Sequence, residues 1–131
     1  MSWDLFVNNI PREFASVSEI PEGFVQRSLG SRRQIVDKIC AVVPNADFSD
    51  PSWGLIDGDG YSIEVNIGKD DPVTGFAFHI RGGDNAVYVV ADILDYLGLR
   101  AFDPQSDSGF FSLKDGPASL QKWRAYRNKF I

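Results

Sequence analysis

Between Trp53 and Gly98 the chain reads WGLIDGDGYSIEVNIGKDDPVTGFAFHIRGGDNAVYVVADILDYLG, three alternating apolar runs and then one broad apolar run, separated by glycine-rich breaks. Alternation with a period of two marks half-buried strands, and connections this short join only antiparallel neighbours. The stretch therefore predicts strands over Trp53 to Asp57, Tyr61 to Ile67 and Thr74 to Arg81, followed by a helix. Read as a three-residue loop with a bulge glycine at position 60, Gly58-Asp59-Gly60 sets Trp53 and Leu55 opposite Val65 and Ile63. Pairing Val65 with Phe76 and Ile63 with Phe78 keeps one apolar face together. The expected core is then Trp53, Leu55, Ile63, Val65, Phe76 and Phe78, packed against Ile39, Val90 and Leu94. Asp84 stands where a helix N-cap is needed, and Gly98 where a helix stops.

The flanking sequence extends this pattern. Trp3 to Val7 reads as a strand closed off by Pro11, and residues 11 to 30 are too broken for any period. Ser31 and Gln34 form a capping box ahead of Ile35, Val36, Ile39, Cys40, Val42 and Val43, a helix ending before Pro44. Asn45 to Ser52 reads as a polar loop, Leu99 to Phe102 as a short strand, Asp103 to Gly109 as a loop and Phe110-Phe111 as a short apolar piece. A last helix opens near Pro117 and lines up Leu120, Trp123, Arg127 and Phe130. The order β-α-β-β-β-α-β-α predicts an α+β fold: an antiparallel sheet with a central three-stranded meander, and two to three helices packed mainly on one face. A doubly wound nucleotide fold is disfavoured, because it alternates parallel strands with crossover helices. At 131 residues, one domain spanning 1–131 is expected.

Charge divides unevenly along the chain. Residues 1–113 carry 8 Lys/Arg against 17 Asp/Glu, while residues 114–131 carry 5 against 1. An acidic body repels phosphate backbones, which argues against nucleic-acid binding, although Lys122, Arg124, Arg127 and Lys129 give the tail an anion-seeking surface. No apolar run is long enough to cross a membrane, and MSWDLFVNNI has an acid where a signal peptide needs a basic region, so a cytoplasmic setting is expected. The single cysteine, Cys40, is expected to be a buried structural thiol.

Chemistry is sparse. The hairpin register sends Ser62, Glu64, Asn66, His79 and Arg81 to the face opposite the core, with Glu64 diagonal to His79. A carboxylate beside an imidazole orients it as a general base, and Arg81 would hold an anionic substrate, a pattern suited to a small hydrolase or transferase. The competing account is a solvated sheet face of mixed charge. Asp57-Gly58-Asp59-Gly60 lacks the fifth-position oxygen ligand of a calcium loop, since Tyr61 stands there, and the chain has no zinc ligand set. Arg81-Gly82-Gly83-Asp84 has neither the spacing nor the lysine of a phosphate loop, and no G-x-S-x-G occurs. No cofactor and no metal are expected.

SDPSWGLIDGDGYSIEVNIG together with FHIRGG resembles a stretch of an uncharacterised family of small bacterial single-domain proteins, over roughly residues 45–98. The resemblance implies a bacterial cytoplasmic protein and assigns no catalytic residue. The leading expectation is a non-enzymatic protein-binding domain, of the kind in which a small acidic immunity protein neutralises a basic partner. Asp47, Asp50, Asp70 and Asp71 are the candidate steering acids. The last helix is expected to dock through Leu120, Trp123 and Phe130 onto the acidic body, with Lys122, Arg124 and Lys129 pointing outward, and self-association through the same stripe is the alternative.

Overall fold

The computed structural model describes residues 2–113, 116, 117, 119 and 121. Six strands form one antiparallel sheet: β1 (Trp3–Asn8), β2 (Asp47–Asp50), β3 (Trp53–Gly58), β4 (Tyr61–Asn66), β5 (Phe76–Gly82) and β6 (Arg100–Phe102), in the spatial order β2-β3-β4-β5-β1-β6. The α-helices α1 (Arg32–Val42) and α2 (Asn85–Leu97), with a 3-10 turn at Val17–Glu19, join the sheet in an α+β fold. Both β5 and β6 run antiparallel to β1, so they run parallel to each other with β1 between them, and α2 makes the connection.

Local chemistry explains the helix ends. Ser31 Oγ accepts from the Gln34 N–H at 3.1 Å while Gln34 Oε1 accepts from the Ser31 N–H at 3.1 Å, the reciprocal box that starts α1. α2 stops at Gly98, whose φ of +67° lets its N–H reach the Leu94 and Asp95 carbonyls. Asp84 does stand at the α2 N-cap, but in helical backbone geometry and without a side-chain capping bond.

The core draws on alternate strand residues, among them Trp3, Leu5, Ile63, Val65, Phe78 and Ile80, together with Ile35 and Ile39 of α1 and Val87, Val90 and Ile93 of α2. Each such side chain contributes about 1.5–3 kcal/mol by leaving water. Trp3 is held at its polar end too, since its Nε1–H donates to Asp103 Oδ1 at 3.0 Å inside the core.

Several expectations need correction. Gly58 pairs with Tyr61, so the β3–β4 loop is the two residues Asp59-Gly60 rather than three. That single residue inverts β3: Ile56 and Gly54 face the core, while Trp53 and Leu55 are 42% and 38% exposed. The physical reason is close packing at the glycines. A Cβ on Gly54 would collide with the Phe48 ring and one on Gly58 with the Tyr61 ring, so neither Trp53 nor Leu55 fits on that side. β4 and β5 keep the expected faces but slide by two residues, pairing Val65 with Phe78 and Ile63 with Ile80. Residues 47–50, read as loop, form the edge strand β2. Cys40 is half-buried rather than buried, and partial burial followed by the Asp37 charge raises its thiol pKa. Leu120, Lys122, Trp123, Arg124, Arg127, Lys129 and Phe130 of the expected last helix lie outside the described residues.

Candidate functional site

Strand parity builds the site. Residues directly opposite in neighbouring strands point to the same face, so the register lays out two rows on the face away from the core. One runs Asp47, Leu55, Glu64, His79, Asp4 across β2, β3, β4, β5 and β1. The other runs Asp50, Trp53, Asn66, Ala77, Phe6, Phe102 across all six strands. Beside them, Asp57 lies opposite Ser62 and Ser62 opposite Arg81. Near β6 this face is closed over: Arg100 donates to the Pro11 and Phe14 carbonyls at 2.8 and 2.7 Å, and Phe102 stacks on Phe110. From β2 to β1 it is open.

The sequence grouped His79, Glu64 and Arg81, and the sheet does bring all three to this face, with Glu64 directly opposite His79. Their partners differ from the expected ones. Glu64 Oε1 pairs with Arg81 Nη1 at 3.2 Å, and the carboxylate on the imidazole is Asp4, with Oδ1 2.8 Å from His79 Nδ1. A carboxylate only accepts, so Nδ1 carries a proton, and the neutral form of the ring has its lone pair on Nε2. The Trp53 indole stacks on the His79 ring, with centroids 5.8 Å apart. Asp4 escaped the sequence reading because only the β1–β5 pairing, 75 residues apart in the chain, brings it there.

The four steering acids separate. Asp47 and Asp50 sit on β2 as cross-strand partners of Leu55 and Trp53, and so belong to the open face. The Ser49 hydroxyl and N–H bind the Asp47 carboxylate and those of Ser52 bind Asp50, which lowers both carboxyl pKa values. Asp70 lines a concavity of about 380 Å³ on this face, together with Phe6, Asn8, Asn66, Gly75 and Ala77. Asp71 leaves the group, because its Oδ1 accepts from the Arg32 N–H at 3.0 Å, at the start of α1. Asp47, Asp50, Asp57 and Asp70 form no ion pair among the described residues.

Trp53 and Leu55 on β3 and Phe6 on β1, which is 45% exposed, are thus apolar side chains on the open face, with Glu64, Asn66 and His79 between them. Sheet edges offer less. On β2 the Asp47 carboxylate takes the Ser49 N–H, and β6 is bridged to Phe110. Among the described residues no group of three or more His, Cys, Asp or Glu side chains is placed to hold a metal ion, and no helix is long and apolar enough to cross a membrane. Compared with known proteins, the chain matches no family model, no curated protein and no solved structure.

Proposed function

We propose that this is a non-enzymatic protein-binding domain whose open sheet face docks a basic protein, as an immunity-type neutraliser would. One observation carries the reading: Trp53 and Leu55 stand exposed side by side on β3, Phe6 is exposed on the same sheet face three strands away, and Asp47, Asp50, Asp57 and Asp70 beside them have no ion-pair partner among the described residues. Large aromatic side chains dominate binding energy when a partner desolvates them, and acids that outnumber the nearby Lys69, Arg32 and Arg81 steer a basic partner in. A bacterial, cytoplasmic setting goes with this proposal.

The test is capture of a defined partner from the source cell by the full chain, compared with Trp53→Ala and with Asp47→Asn/Asp50→Asn. We expect the tryptophan change to abolish retention, and the acid changes to slow association and flatten its dependence on salt. Retention that ignores all three substitutions, in variants with unchanged melting, overturns the reading.

The Asp4–His79 hydrogen bond favours a second reading, a small hydrolase or transferase. In it His79 Nε2 takes a proton, Asp4 fixes the tautomer in the place first given to Glu64, and Arg81 binds an anion while paired to Glu64. Turnover of ester or phosphoester substrates that is lost in both His79→Gln and Asp4→Asn supports it. Turnover unchanged in either variant removes it.

A further inference from the structure

The concavity on the open face has a chemical bias that says which group of a basic partner it takes. Its floor is Ala77 and Gly75, where short side chains leave room between Phe6 and Asn66. Its volume, about 380 Å³, falls within the roughly 300–1,000 Å³ of small-ligand clefts. Asn8 Nδ2 already donates to Gln26 Oε1 at 2.7 Å and to the Thr74 carbonyl at 3.3 Å. A carbonyl partner fixes the amide's orientation, so Asn8 has only its Oδ1 left to offer. Asp70 is a carboxylate with no hydrogen bond among the described residues, and the Asn66 amide has none either. The polar lining is therefore rich in acceptors and short of donors.

We propose that this concavity is an anchor pocket for an arginine side chain of the docked partner, a proposal that rests on the open face being a protein-binding surface. A guanidinium matches the lining term by term. Its five N–H donors meet Asp70, the Asn8 Oδ1 and the Asn66 carbonyl, while its planar face stacks on the exposed Phe6 ring. An anion would meet the Asp70 carboxylate and find only the Asn66 amide to donate to it, because the Asn8 donors are already engaged. A lysine ammonium satisfies Asp70 but has no plane to lay against Phe6 and no fork for several acceptors.

The test titrates the ¹⁵N-labelled full chain, at low salt, with acetyl-Gly-Arg-Gly amide and with its citrulline and lysine counterparts. Citrulline keeps the shape and removes the charge. The arginine peptide is expected to shift the Ala77 backbone amide and the Asn8 and Asn66 side-chain amides saturably, with the lysine peptide weaker and the citrulline peptide inert. Asp70→Asn should weaken arginine binding roughly five-fold, the scale of one exposed ion pair, whereas Asp71→Asn, which sits at the start of α1, should leave it unchanged. Equal responses to citrulline or lysine, shifts centred elsewhere, absence of saturable shifts, or indifference to Asp70→Asn each overturn the pocket. If the pocket fails while Trp53-dependent capture of a protein partner persists, the docking face stands without it. If arginine binds but no partner engages the face, the docking reading falls and the anchor role falls with it, leaving an arginine-binding concavity.

Discussion

The two faces of the sheet are made by the same strands and obey opposite rules. On one, Leu5, Ile63, Val65, Phe78 and Ile80 are closed off with residues of α1 and α2. On the other, Trp53, Leu55 and Phe6 stand in water beside Glu64, His79 and Arg81. Residue type does not separate the faces, since tryptophan and phenylalanine occur on both. Parity along each strand does, and it decides whether an aromatic ring serves stability or is left for recognition.

The strongest attack on that contrast is Phe78→Ala, which should cost about 3–5 kcal/mol by emptying a fully buried ring site, read from urea unfolding. A loss below 1 kcal/mol would mean that the covered face is not the core. Next comes Asp103→Ala. Asp103 is 1% exposed and accepts from Trp3 Nε1, so its removal strands that buried donor and should cost about 1–3 kcal/mol. Trp53→Ala on the open face should change stability by less than about 1 kcal/mol, losing only its stacking on His79, yet remove partner binding. A large thermal shift would place Trp53 in the core after all.

The smallest expected effect is an acid-side one. Ser49 and Ser52 hold the Asp47 and Asp50 carboxyls below their ordinary pKa. A depressed folded pKa gives a contribution that is complete above the unfolded value of about 4 and disappears as pH falls through the lower folded value. The double variant Ser49→Ala/Ser52→Ala should therefore be slightly less stable than the wild type at pH 7, and should shallow the decline of urea midpoints below about pH 5 so that the two proteins converge at the acid end. An unchanged slope would show that these hydroxyls do not hold the acids.

How far the sequence carried the fold follows from the range of each interaction. The α1 start needed only Ser31 and Gln34, three residues apart, and the α2 stop only Gly98, so both were legible. The face carrying Glu64, His79 and Arg81 was legible as well, because the alternation within β4 and β5 fixes it. β3 was not: a two-residue and a three-residue loop fit DGDG equally, and only packing of Phe48 over Gly54 decides between them. β2 was missed because DFSD has the composition of a loop and pairs only at its two ends. The carboxylate on His79 was beyond local reading, since Asp4 arrives by a pairing between distant strands.

The position of β1 bears on how the chain folds. It comes before the other strands of the sheet along the chain, yet its neighbours are β5 and β6, so one of its edges stays unfilled until synthesis has passed residue 82 and the other until residue 102. The hairpins of β3, β4 and β5 close over short loops and can form as they emerge, whereas WDLFVN must wait with its backbone unpaired. Long-range closure of this kind is slow and leaves an apolar strand exposed to other chains in the interval. The cost of placing the strand between β5 and β6 is thus a long interval in which its apolar residues Leu5 and Val7 have no cover.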